Sequence, residues 1–141
     1  MRSFFDTSVL IPAFLEDHEH HNASFDVFSA AEKPQGYCGA HSLAEVYSSL
    51  TRMPGTHRLS APRAVLIVRQ IKDRLTVLSL DPEEYQATIS DAAAAGITGG
   101  AIYDALLVRC ALKADVDTIY TWNLRHFQRF GPDVRRRLRT P

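Results

Sequence analysis

Two cysteines, Cys38 and Cys110, are all that this sequence offers for covalent cross-linking in 141 residues. Each sits in an apolar stretch, Gly36-Tyr37-Cys38-Gly39 and Val108-Arg109-Cys110-Ala111. A thiol in such surroundings behaves as a small hydrophobe, so buried, reduced cysteines are expected rather than a disulfide framework. Net charge is missing too, since sixteen basic residues balance sixteen acidic ones. That balance excludes a strong overall field for duplex nucleic acid or an anionic membrane. A local patch or a bound metal can still attract phosphate. No apolar run approaches the ~20 residues that span a bilayer, and no charged-then-apolar leader precedes the first strand. A reducing cytoplasm is the expected setting.

What is present suffices for one core. Hydrophobic content of 45% and charged content of 23% are ordinary for a globular chain. A chain of this length buries roughly two-thirds of its unfolded surface, and residues 1–141 are read as a single domain. Arg2–Phe5 reads as a buried strand, followed by a helix that Ser8 is placed to cap, with Pro12 acceptable only in its first turn. Residues 16–22 read as a polar loop, and a second helix is expected from Ala23 to Ala31. A short strand at Tyr37–Gly39 precedes a helix whose apolar positions Leu43, Val46, Tyr47 and Leu50 recur at helical spacing. Ala61–Lys72 reads as a helix and Leu75–Leu80 as a strand. Asp81-Pro82-Glu83-Glu84 is a strong helix start, stopped by Gly96. Gly99-Gly100 opens a helix reaching Ala114, and Asp117–Thr121 is the last clear strand. Strands alternating with helices predict an α/β fold, a three-layer α/β/α sandwich with a mostly parallel central sheet.

Four residues draw attention within that pattern. Asp6 directly follows a buried strand, the edge at which parallel sheets bind ligands; its alternative role is to cap the next helix, which Thr7 and Ser8 could do as well. Asp104 is the only acid in an otherwise apolar helix. A buried, unpaired carboxylate costs several kcal/mol, so it calls for a cation, a metal or a proton, and Arg109, five residues on, is poorly spaced to serve. Glu45 borders the buried stripe of its helix and, taken alone, reads as a boundary acid. Asn123 follows a strand end and reads equally as a site residue or a helix cap.

Together, Asp6-Thr7-Ser8-Val9-Leu10, Ser42-Leu43-Ala44-Glu45-Val46, Gly99-Gly100-Ala101-Ile102-Tyr103-Asp104-Ala105-Leu106 and Tyr120-Thr121-Trp122-Asn123-Leu124-Arg125-His126-Phe127 resemble the PIN-domain ribonucleases, and more closely the toxins of VapBC-type toxin–antitoxin pairs. The resemblance runs along essentially the whole chain. It implies an endoribonuclease toxin of a type II pair, dependent on Mg2+ (with Mn2+ as a possible substitute), hydrolysing RNA through a metal-activated water. It maps Asp6, Glu45 and Asp104 onto three acidic metal ligands and Asn123 onto a fourth position that takes Asp or Asn. Thr7, Ser8 and Thr121 match polar positions beside the acids, suited to holding substrate or water. A cognate antitoxin and a homodimer are the implied partners, with the helices joined through Arg52, His57, Arg58 and Arg63 helping to form the antitoxin groove. Other readings are a PIN-type nuclease for RNA processing or single-stranded DNA, and a non-catalytic Mg2+-binding signalling domain, which would lack a helix-borne acid like Asp104. His18, His20 and His21 read as a solvated loop rather than a zinc site. Arg135, Arg136, Arg137 and Arg139 form a basic tail, open to RNA, a partner or solvent.

Overall fold

The computed structural model describes residues 1–141. In chain order the elements are β1 (Ser3–Phe5), α1 (Thr7–Ala13), α2 (His21–Ala30), β2 (Gly36–Gly39), α3 (Ala40–Arg52), α4 (Ala61–Arg74), β3 (Thr76–Leu78), α5 (Pro82–Ala94), α6 (Ala101–Lys113), β4 (Thr118–Tyr120), α7 (Leu124–Phe127), α8 (Pro132–Arg137) and β5 (Leu138–Arg139). The strands form one sheet in the order β3-β2-β1-β4-β5, and every pairing is parallel. Phe4 aligns with Tyr37 on one side and Ile119 on the other.

Strand alternation explains the layers, because successive side chains leave opposite faces of a sheet. Phe4, Ile119 and Leu138 pack with Leu107, Val108 and Ala111 of α6, Phe127 of α7 and Val134 of α8. Phe5 and Cys38 pack on the other face with Val9 and Leu10 of α1, Phe28 of α2, Val46 and Leu50 of α3 and Ile71 of α4. Both faces being covered, β1 reads as continuous apolar sequence, as strands of parallel sheets do. Burying Phe4 and Phe5 contributes roughly 1.5–3 kcal/mol each, which fixes β1 as the central strand. The two cysteines lie in different layers and are both free and buried. Burial pushes the Cys38 thiol up to about 12.

The expected start of α5 is present as a reciprocal capping box. Asp81 Oδ1 accepts from the Glu84 amide at 2.8 Å, and Glu84 Oε1 accepts from the Asp81 amide at 3.0 Å. Gly96 follows the helix with φ +75°, a conformation that favours glycine.

Several expectations are corrected. Ser8 does not cap α1: the helix starts at Thr7, Asp6 takes the cap position, and no side chain caps it. Pro12 accordingly sits in the second turn, where its missing N–H removes a helical bond, and the helix ends at Ala13. The loop expected at residues 16–22 yields to α2 at His21, whose ring Nδ1 lies 2.8 Å from Pro12 O. The strand expected over Leu75–Leu80 narrows to Thr76–Leu78. Gly99 precedes α6 with φ +63°, and a Cβ at Gly99 or Gly100 would meet nothing within 4 Å. The basic tail is folded, as α8 and then β5. Arg137 ion-pairs with Asp133 and Asp115, and Leu138–Arg139 pairs with β4. No helix is long and apolar enough to cross a membrane.

Candidate active site

The strand order creates a crevice beside the central strand. After β1 the chain enters the layer containing α1, whereas after β4 it enters the layer containing α7. Where neighbouring parallel strands send their following helices to opposite faces, their carboxyl ends open a binding site. Asp6 is the first residue past β1 and Thr121 the first past β4.

Asp6 is 3% exposed. Its Oδ2 accepts from Ser8 Oγ at 2.7 Å and from Thr121 Oγ1 at 2.8 Å, and the two hydroxyls lie 3.3 Å apart. Both hydroxyls are themselves held by the next loop: the Trp122 amide donates to Ser8 Oγ and the Asn123 amide to Thr121 Oγ1, each at 2.9 Å. Burial pushes the Asp6 carboxyl above its ordinary range, against the downward pull of Ser8, Thr121 and the first backbone amides of α1. A desolvated acid so held is a site for positive charge.

Glu45 belongs to the same cluster through Thr7. Thr7 Oγ1 lies 2.9 Å from Glu45 Oε1 and 2.8 Å from Ser42 Oγ, so its one proton serves either oxygen while Ser42 completes the arrangement. Asp104 lies in the first turn of α6 and is half-buried. Its carboxyl is raised mainly by burial, then by the charge of Asp6, with Glu45 adding to it; His126 and Arg129 pull it down. Arg109 is engaged elsewhere, with Thr88 at 2.9 Å and Asp91 at 3.5 Å. The three acids thus share one electrostatic neighbourhood, and no arginine or lysine forms a salt bridge with any of them.

Asn123 takes the cap position of α7 without a side-chain capping bond and is exposed; its main chain reaches the cluster through Thr121. Thr7, Ser8 and Thr121 all contact the carboxylates themselves. Sequence reasoning missed Ser42, which is fully buried beside Thr7. It also missed Trp122, whose indole N–H donates to Ser24 Oγ at 2.9 Å and whose ring stacks on His20 at 3.7 Å. His20, in the loop before α2, is thus half-buried against Trp122. Ser42 resembles Ser8 in opening a helix just after a strand, which is the signal that could have found it. Concavity alone would mislead: a cavity of about 540 Å³ between α2 and α4, lined by Phe14, Phe25, Phe28 and Arg74, contains none of the acids.

The donor set is all oxygen, which suits a hard divalent cation. No three His, Cys, Asp or Glu side chains approach closely enough to hold one ion directly. The acids therefore fit an ion that keeps much of its water, as magnesium does.

Comparison with known proteins agrees with this geometry. The PIN domain family matches residues 3–131. Ribonuclease VapC40 of Mycobacterium tuberculosis is 37% identical over 120 residues, 85% of each chain. Ribonuclease VapC27 of the same organism is 38% identical over 108 residues, 77% of this chain and 75% of its own. Among solved structures, the Sarcin-Ricin loop cleaving toxin VapC20 of Mycobacterium tuberculosis superposes with a TM-score of 0.70 at 14% identity, over 88% of this chain and 92% of that one. DNA-bound VapBC from Salmonella typhimurium gives 0.68 at 20% identity, over 99% and 98%. At these identities the structures speak for the fold, and the sequence relatives carry the kinship. The chain belongs to the PIN-domain family, among the VapC ribonucleases.

Proposed function

We propose that this protein is a metal-dependent endoribonuclease, the toxin of a type II toxin–antitoxin pair, and that Asp6, Glu45 and Asp104 hold Mg2+ at its active site. The observation that carries the reading is Asp6, buried at the carboxyl end of the central strand and held there by Ser8 and Thr121, with Glu45 joined to the next residue through Thr7. These three carboxylates would hold a magnesium ion, which would supply a water of lowered pKa and charge neutralisation at the scissile phosphate. Ser8 and Thr121 orient Asp6, Thr7 orients Glu45, and Arg129 brings positive charge beside Asp104. Asn123 is a neutral associate, so the site carries three carboxylates rather than four. Hydrolysis by water leaves 5′-phosphate and 3′-hydroxyl ends without a covalent intermediate. A cognate antitoxin belongs to the same reading, supported by structural neighbours solved as VapBC complexes; a homodimer and a cytoplasmic setting complete the reading.

The test is cleavage of tRNA, rRNA fragments and single-stranded DNA with Mg2+, Mn2+ or EDTA. Asp104→Asn is expected to lose about a thousand-fold or more in rate, several kcal/mol of transition-state stabilisation, while staying folded and no less stable than wild type. A fully active, metal-dependent Asp104→Asn protein, or 2′,3′-cyclic phosphate products, would contradict the assignment.

A further inference from the structure

Beside the carboxylates lies an aromatic pair that the metal chemistry does not use. His41 opens α3 one turn before Glu45, and Tyr103 opens α6 one residue before Asp104. Their rings stack with centroids 4.7 Å apart and planes only 7° from parallel. The stack therefore bridges the same two helices that carry Glu45 and Asp104. His41 is itself partly buried and lies near Gly39, Leu106 and Leu107, with which it lines a small pocket of about 20 Å³. Tyr103 is 47% exposed. Glu45 Oε1 is 3.9 Å from His41 Nε2, beyond hydrogen-bond reach, so the imidazole is held by stacking rather than by that carboxylate.

The other stack near the site differs in kind. Trp122 beneath His20 is packed against the core and hydrogen-bonded through its indole N–H, so its ring is committed to the fold. Tyr103 has one ring face taken by His41 and a large exposed area beside an acid of the cluster. Flat, partly exposed aromatic rings are what splayed nucleobases stack on. The charge balance strengthens the argument: with no net positive charge, little affinity can come from overall attraction to the phosphate backbone.

We propose that Tyr103, backed by His41, stacks an unpaired base of the nucleotide adjoining the scissile phosphate and so positions the strand for cleavage. This rests on the ribonuclease reading. Tyr103 is here a substrate-positioning residue, and His41 positions Tyr103.

The cut is first mapped by sequencing the ends that the wild-type protein and Mg2+ generate in total RNA. An oligoribonucleotide spanning it is then assayed with wild type, Tyr103→Leu and Tyr103→Trp, each also on substrates carrying an abasic nucleotide on one side of the cut or the other. Tyr103→Leu is expected to raise KM from about five-fold to on the order of a hundred-fold, the range of one base–aromatic stack, with a much smaller change in kcat. Tyr103→Trp stays near wild type. An abasic nucleotide on one side raises the wild-type KM by a similar factor and costs Tyr103→Leu nothing further. An unchanged KM for Tyr103→Leu, or penalties that multiply, overturns the platform, as does weakened antitoxin binding with KM for RNA unaltered. Should Tyr103→Leu fold poorly, wild type alone decides: no abasic penalty on either side overturns it. A wild-type protein that cleaves no RNA defeats the ribonuclease reading and the platform together, whereas cleavage that is indifferent to Tyr103 defeats only the platform.

Discussion

Thr121 Oγ1 donates to Asp6 Oδ2 at 2.8 Å, joining the carboxyl ends of β4 and β1 across 115 residues of sequence. Thr121 is fully buried, and its hydroxyl also accepts from the Asn123 amide. One small side chain thus holds both an acid and the turn that follows it. Thr121→Val keeps the shape and removes both bonds. It is expected to lower kcat by roughly ten- to a hundred-fold, one to a few kcal/mol, and to reduce stability by about 1–3 kcal/mol through the stranded amide. Thr121→Ser should restore most of the rate. If the valine protein cleaves at the wild-type rate, the hydroxyl has no part in orienting Asp6.

Asp6 offers a prediction in which stability and activity move oppositely. Its carboxyl is raised by burial, so the folded state holds the proton more tightly than the unfolded state. Stability then falls as pH rises from the ordinary carboxyl value toward the raised one, and the penalty is complete above it. Asp6→Asn removes that penalty while its side-chain oxygen can still accept from Ser8 and Thr121. In EDTA the variant is expected to melt a few degrees above wild type at pH 8, with the gap closing as pH falls toward 4. Mg2+ should raise the wild-type Tm and leave the variant unmoved. Thermal unfolding across pH, with and without Mg2+, decides it; a variant less stable than wild type at pH 8 would show that burial of the charge is not the governing cost.

Gly39 lies between the helices of two acids. A Cβ there would stand 2.6 Å from Leu107 Cδ2, and Leu107 is itself buried on α6. Gly39→Ala is expected to cost about 1–3 kcal/mol by overpacking, read as a lower urea midpoint with an unchanged slope. Because the strain falls between α3 and α6, cleavage should weaken as well. Adding Leu107→Val should recover part of both, and purely additive losses in the double variant would place the strain elsewhere.

Much of the fold was legible because its signals are local. The apolar residues of β1, the helical spacing of Leu43, Val46 and Leu50, and the Asp81–Glu84 box each act within a few residues, and each stands where expected. Asp6 and Asp104 stood out for the same reason, as acids in apolar surroundings. What escaped depends on partners distant in sequence. β5 is two residues long, inside a run of arginines, with no alternation to mark it; it exists because β4 offers a free edge. Ser8 looked like a cap because caps are local, yet its hydroxyl is used by Asp6 and by Trp122, 114 residues away. The His41–Tyr103 stack likewise needs α3 and α6 to meet before either ring becomes noteworthy.

That two-residue strand has a consequence for when the protein becomes competent. The Thr121 amide donates to the Arg139 carbonyl at 3.0 Å, so the group that orients Asp6 is fixed by residues made more than 130 positions later than Asp6 itself. Contacts so far apart in sequence form late, because closing long loops is slow. A nascent chain lacking residues 138–139 leaves the β4 edge unpaired, and the turn that holds Asp6 is unfinished. Cleavage activity should therefore appear only once residues 138–139 can pair with β4, rather than grow with chain length.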